Sequence, residues 1–389
     1  MLRTLDDLEL AGKTAFVRVD FNVPLDKSGS IQDDTRMVAA LPTLRKLREL
    51  GVGKLIAASH LGRPKGIDPA YSMRPVARHL SELLGLDVQL LPLDLDEARA
   101  AVLASPQGSV LMLENTRFYS GETSNAEDQA RKLASLADVY VDDAFGSAHR
   151  AHASTEGIAH LLPSAAGLLL QREVAALSGL LESPSRPFVA LLGGAKVSDK
   201  LGVIRSLLDR VDRLLIGGAM ANTFFLGQGL EVGKSLVEPD QVELARELLR
   251  NGGEKLVLPV DCVVADSLES EPQIVPCDQV PPEKAIYDIG PATVELFRAH
   301  VSDAATVFWN GPMGVFEVGQ FARGTVELAQ AAAASSAHTV IGGGDSIAAV
   351  SAAGVAASID HISTGGGASL ELLEGKVLPG VAVLERPDA

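Results

Sequence analysis

AAGLLLQREVAALSGLL, residues 165–181, is the stretch on which the architecture turns. Its apolar residues recur at spacings of three and four, and no Gly or Pro falls between Leu168 and Ser178. That period marks a single amphipathic helix. The following SPSRP (183–187) breaks it. On either side runs the same alternation of short β-branched stretches and helix-period segments. Before the linker lie Thr14–Val19, Lys54–Ala58, Val110–Leu113 and Val139–Val141, with helical segments at Thr35–Leu50, Met73–Leu84 and Ala126–Leu136. After it lie Phe188–Leu192, Arg213–Ile216, Lys255–Val264, Thr306–Trp309 and His338–Ile341. Successive βα units build parallel sheets covered by helices. The expectation is an α/β protein of two doubly wound, Rossmann-like domains joined by one hinge helix, with the division between 1–170 and 171–370.

The bulk composition agrees. A chain of 389 residues, 47% hydrophobic and 22% charged, suits two globular cores. The formal net charge of −16 argues against nucleic acid as a partner. The charge is uneven: residues 1–170 carry 18 Lys and Arg against 22 Asp and Glu, and the remainder 16 against 28. A small anion is therefore better received by the first half. Cys262 and Cys277 form no CxxC and have no His at ligand spacing, which supports neither a zinc site nor a disulfide-stapled fold. Asp6, Asp7 and Glu9 interrupt the N-terminal ten residues, unlike a signal peptide, and no apolar run approaches the ~20 residues of a membrane span. A cytoplasmic protein without a membrane partner is expected.

Ligands of open parallel sheets bind beyond the carboxyl ends of the strands. In the first half those ends carry Asp20 and Asn22, then His60 and Arg63, then Arg117, then Arg150, while Arg36 opens the first helix. A planar guanidinium fork suits carboxylate and phosphate, so this set points to an anion site. Any one of these arginines alone is better explained by a surface pair with an acid. In the second half the strand ends are glycine clusters: 193–194, 217–218, 311, 342–344 and 365–367. Glycine lets a phosphate or a base approach the backbone, and the last two clusters lead into helices whose N-termini favour phosphate. Gly233-Lys234-Ser235 imitates the end of a P-loop, but residue 228, where the loop needs glycine, is Gln. No GxGxxG follows the first strand of either half, which argues against a dinucleotide-dependent dehydrogenase.

RVDFNVPLD (18–26), SHLGRP (59–64), LENTRF (113–118), DDAFGSAHRAHAS (142–154), LLGGAKVSDK (191–200), WNGPMGVFE (309–317), IGGGDS (341–346) and STGGGASLELLEGK (363–376) together resemble phosphoglycerate kinase, collinearly and over nearly the whole chain. Ser147 and Glu156 depart from the family's common residues and touch none of the positions assigned below. The resemblance implies reversible transfer from Mg²⁺-ATP to 3-phosphoglycerate, giving ADP and 1,3-bisphosphoglycerate, by a monomer. It implies that Asp20, Asn22, Arg36, His60, Arg63, Arg117 and Arg150 hold the phosphoglycerate. Lys200 would contact the nucleotide phosphates, Lys196 the transferring phosphoryl, Glu317 the ribose and Asn310 the triphosphate. Asp345 would position the Mg²⁺, with Gly343, Gly344 and Ser346 at the phosphates and Gly193, Gly217 and Gly218 beside the adenine. Arg36, Lys196, Gly343 and Gly366 would act on the transferring group. Residues 371–389 would pack back on the first domain.

The chemistry needs no general base, because a carboxylate nucleophile is already ionised at pH 7. Positioning and charge neutralisation remain. One substrate on each domain also implies a closing motion, with the linker as hinge. The competing expectations are a diverged two-domain binding protein, or a kinase for another small phosphorylated carboxylate.

Overall fold

Fifteen strands gather into three sheets in a computed structural model, which describes residues 1–386. The chain divides into two compact units: Met1–Ala175 joined by the stretch from Val377 onward, and Ala176–Lys376.

The first unit contains β1 (Thr14–Val19), β2 (Lys54–Ala58), β3 (Val88–Leu90), β4 (Val110–Met112), β5 (Val139–Asp143) and β6 (Ser164–Ala166). They form one parallel sheet in the order β3-β4-β2-β1-β5-β6. Both faces are covered, so these strands read as continuous apolar runs. Charged exceptions are buried too: Arg18 near the end of β1, Lys54 at the start of β2, and Asp142 and Asp143 at the end of β5. Helix Arg74–Leu84 shows how local sequence sets an element. Pro75 lies in its first turn, Val76, Ala77 and Leu80 face inward, and Gly85 ends it with a left-handed φ of 68°.

In the second unit come β7 (Phe188–Leu192), β8 (Arg213–Ile216), β9 (Leu256–Val257), β10 (Asp261–Ala265), β11 (Gln273–Pro276), β12 (Ala285–Ile289), β13 (Thr306–Asn310), β14 (His338–Gly342) and β15 (His361–Ile362). The parallel sheet runs β15-β14-β13-β7-β8-β9. Phe297, Trp309 and Leu328 belong to its core. A second sheet, β11-β10-β12, is antiparallel.

Three expectations are corrected. The run 255–264 is not one strand: β9 closes the parallel sheet and β10 starts the antiparallel one. Pro259, which cannot donate to a ladder, separates them. The linker helix begins at Leu168, because residues 164–166 form β6 beside Tyr140–Asp142. Gly167 makes the corner, where an added Cβ would fall 2.1 Å from Asp143 Oδ1. That oxygen accepts from the Leu169 and Leu170 N–H groups at 2.9 and 3.3 Å, capping the helix from another element. Finally, helix Gly366–Leu373 stays in the second unit, against helix Leu201–Leu208, so the returning tail starts at Val377 and not at 371. Within the first unit, Arg3 N–H donates to Leu384 O and Arg386 N–H to Met1 O, both at 2.8 Å, and Leu384 is fully buried. Residues 387–389 of the expected tail lie outside the described residues.

Candidate functional site

Each parallel sheet has one place where its winding reverses. In the first it lies between β1 and β5, and in the second between β7 and β13. Loops leaving such neighbours turn to opposite sides and open a crevice at the strand ends. The residues singled out from the sequence cluster at these two places.

At the first crevice, Asp20 follows β1 and is 9% exposed. Arg36 Nη1 donates to Asp20 Oδ2 at 3.1 Å, and His60 Nδ1 lies 3.8 Å from Asp20 Oδ1. Asn22 Oδ1 accepts from the Gly62 N–H at 2.8 Å, tying the loop after β1 to the loop after β2. Arg117 donates to Gly62 O. Asn115 fixes the loops behind it by donating to Leu61 O and Tyr71 O at 2.8 and 2.9 Å. Arg150 Nε donates to His149 Nε2 at 3.1 Å, and Arg63 is exposed at the rim. Of the four strand-end and helix-start arginines, only Arg36 has an acid partner within 4.0 Å among the described residues.

The electrostatics show how closely these groups approach. Burial, followed by the charges of Arg150, Arg18 and Arg63, lowers the Arg117 pKa. Burial brings His60 down to about 3, against the pull of Asp20 and with the help of Arg18, Arg117 and Arg150. His60 is therefore neutral at physiological pH. Burial works to raise Asp20, but His60, Arg36 and Arg18 outweigh it and hold the carboxyl below its ordinary value. With His60 neutral, the two guanidiniums supply that effect near pH 7. The arrangement is a concave surface of surplus positive charge with one anchored carboxylate, suited to a small polyanion.

Two residues beneath this surface were not expected from the sequence. Arg18 is 1% exposed and Glu122 fully buried. Ser154 bridges them: Arg18 Nε donates to Ser154 Oγ at 2.9 Å, and that hydroxyl donates to Glu122 Oε1 at 2.5 Å. A charged residue inside the apolar run TAFVRV was the available signal for Arg18. Glu122 carried none, because it meets Arg18 only through the fold.

The second crevice is walled by backbone. Gly193 N–H donates to Asn310 O and Gly194 N–H to Pro312 O, both at 3.0 Å. The two loops cross so closely that a Cβ on Gly193 would lie 2.0 Å from Pro312 O. Gly311 has φ +93°, and its own Cβ would meet Gly193 O at 2.3 Å. Beyond this crossing lies a polar cavity of about 380 Å³, lined by Lys196, Lys200, Asn310, Gly343, Gly344, Asp345, Ser346 and Gly366. Lys200 donates to Asn310 Oδ1, whose Nδ2 donates to Gly342 O at 2.8 Å. Burial lowers Lys200 to about 8, with Asp199 and Asp345 opposing. Ser346 Oγ accepts from the Gly311 N–H at 2.5 Å. Helices Gly344–Ala352 and Gly366–Leu373 both begin at this cavity.

Next to it is an apolar cavity of about 290 Å³ whose lining includes Gly218, Phe225, Leu236, Met313, Val315 and Glu317. Gly194, Ala195 and Asp345 line both. Gly193 and Gly217 stand behind the walls, packed on Pro312 and Met313, and do not line either cavity. A polar chamber opening to helix N-termini beside an apolar slot matches the two ends of a nucleotide. The P-loop imitation at 233–235 is a structural turn: Lys234 N–H donates to Lys284 O, and Ser235 Oγ accepts from the Ile286 N–H.

Residues 5–376 match the family model for phosphoglycerate kinase. The chain is 54% identical to the phosphoglycerate kinase of Chloroflexus aggregans and 56% identical to that of Rubrobacter xylanophilus, each over 98% of both chains. Among solved structures it is similar to phosphoglycerate kinase from Coxiella burnetii, with a TM-score of 0.90 and 41% identity over 99% of both chains. The enzyme from Pyrococcus horikoshii superposes with a TM-score of 0.87 at 37% identity, over 99% of this chain and 98% of that one.

Proposed function

Because the chain belongs to the phosphoglycerate kinase family and is a phosphotransferase acting on a carboxyl group, we propose that its first unit holds 3-phosphoglycerate and its second holds ATP or ADP. The observation that carries this assignment is the contrast between the crevices: clustered guanidiniums at one, glycine backbone and helix N-termini at the other.

Asp20, Asn22, Arg36, His60, Arg63, Arg117 and Arg150 bind the phosphoglycerate. Its carboxylate is the nucleophile and is ionised at neutral pH, so the chain supplies no base. Mutual repulsion of two anions is the main barrier, and fixed cations and N–H donors at the transferring group lower it. Arg36 is half-buried at the start of its helix, and Lys196 is exposed at the cavity. Together with the N-termini at Gly343–Gly344 and Gly366, they are the donors assigned to that task. Lys200 and Ser346 hold the nucleotide phosphates near Asn310. Gly218, with Gly193 and Gly217 shaping the wall behind, flanks the base, and Glu317 takes the ribose.

The residues present also fit a nucleotide-borne Mg²⁺. Asp345 lines the same cavity as Lys196 and Lys200. No group of three or more His, Cys, Asp or Glu is placed to hold a metal among the described residues. That suits an ion bound mainly through phosphates and water with one protein carboxylate. Asp345 would hold it, and it would supply neutralisation of phosphate charge. No helix among the described residues is long and apolar enough to cross a membrane. A cytoplasmic monomer completes the proposal. The 52% identical cytosolic phosphoglycerate kinase of Triticum aestivum supports its compartment.

The test is turnover of 3-phosphoglycerate with Mg²⁺ and ATP, coupled through glyceraldehyde-3-phosphate dehydrogenase to loss of NADH. Wild-type turnover should fall about a hundredfold or more in Lys200→Ala, with 3-phosphoglycerate affinity retained. A variant that loses 3-phosphoglycerate affinity but keeps ATP affinity would reverse the assignment of the two crevices.

A further inference from the structure

We propose that Arg18 is a positioning residue: it holds the His60 ring from beneath with Nδ1 as acceptor, so that Nε2 presents its proton to a substrate oxygen. Arg18 Nη2 lies 3.3 Å from His60 Nδ1. A guanidinium has donors and no acceptor, so Nδ1 must offer its lone pair and the neutral ring carries its proton on Nε2. Nε2 has no protein hydrogen-bond partner among the described residues.

The guanidinium is itself fixed. Besides Ser154, it donates to Val19 O, and Nη2 approaches Ser147 Oγ at 3.5 Å. Ser154 N–H also donates to Glu122 Oε2 at 3.1 Å, so the Glu122 carboxylate anchors the chain Glu122–Ser154–Arg18–His60. The competing partner for Nδ1 is Asp20 Oδ1, which is 3.8 Å away, buried and without a hydrogen bond. Without Arg18, nothing donates to Nδ1, and the neutral ring can carry its proton there, facing that oxygen. The charged groups around it are Asp20, Arg18, Arg117 and Arg150. Burial keeps the ring neutral, and Arg18 decides which of its two nitrogens carries the proton.

This inference rests on the assignment of 3-phosphoglycerate to the first crevice. The test uses the full chain labelled with ¹⁵N-histidine and long-range nitrogen–proton correlation spectra, with His60 identified through His60→Gln. In the wild type without ligand, the ring should show the Nε2–H form with no titration between pH 6 and 8. Arg18→Met should move it toward the Nδ1–H tautomer and raise its pKa. The KM for 3-phosphoglycerate should rise about tenfold or more, with a smaller change in kcat. Arg18→Met combined with Glu122→Gln removes the buried carboxylate that would lose its nearby guanidinium, and should show the same ring behaviour if the single variant folds poorly. A wild-type ring protonated on Nδ1 overturns the proposal, as does a folded variant with unchanged His60 signals and titration. If the ring behaves as expected and 3-phosphoglycerate leaves its signals unmoved, it is the substrate assignment that fails, and the positioning role with it.

Discussion

The two crevices occupy the same place in similar sheets and are built from opposite materials. At the β1–β5 reversal the binding surface is long side chains: Arg36, Arg63, Arg117 and Arg150, with His60 and Asn22. At the β7–β13 reversal it is mostly main chain, where Gly193 and Gly311 bring two loops into backbone contact and two helices start at the cavity. Side-chain cations concentrate charge on a compact anion and hold it through bidentate forks. Backbone N–H groups and helix ends spread weaker partial charges along a longer phosphate chain and leave room for a flat ring. A shared topology therefore fixes where a ligand sits, while the residues after each strand fix which ligand it is.

The largest effect should come from removing Arg36, the cation proposed to act on the reacting group. Arg36→Ala should lower kcat about 10²–10³-fold, with a much smaller rise in either KM. Steady-state kinetics with both substrates varied would show this. A loss confined to the KM for 3-phosphoglycerate would make Arg36 one more member of the binding cluster.

The next largest effect distinguishes the crevices by pH. Lys200 is lowered to about 8, so it loses its proton as the pH rises through that value. The kcat/KM for MgATP should bend downward above about pH 8 and approach a tenfold fall per unit. The limb should disappear in Lys200→Arg, which stays charged. Affinity for 3-phosphoglycerate should stay flat over the same range, because Lys200 lies in the other crevice.

The smallest effect concerns salt. Raising ionic strength from about 0.05 to about 0.5 M shortens the screening length several-fold. The KM for 3-phosphoglycerate should then rise several-fold more than the KM for MgATP, since free side-chain charge is screened more than N–H groups set in a wall. Equal responses would erase the distinction between the two surfaces.

How much of this was legible in the sequence differs by region. Asp20, Asn22, His60, Arg63, Arg117 and Arg150 could be found because each lies in the segment after an apolar strand, and the strand-end rule needs only local pattern. Lys200 and Asn310 stand 110 residues apart; Asn310 could be found beside a strand-end glycine, whereas Lys200 could be found only through the family resemblance. The Arg18–Ser154–Glu122 chain could not, because its members meet only after β1 and the loops beyond β4 and β5 are assembled. The antiparallel sheet was hidden for another reason. Apolar residues continue across Pro259, and only the missing N–H marks the point where one sheet stops. At β6, Ser-Ala-Ala has no period to separate strand from helix.

The stretch from Val377 lies against the first residues of the chain, and Gly380 N–H donates to Ala148 O at 2.9 Å, two residues before Arg150. The loop that carries Arg150 thus leans on a strut from a distant part of the chain, and loosening that strut would unsettle a guanidinium of the first crevice while leaving the backbone walls of the second intact.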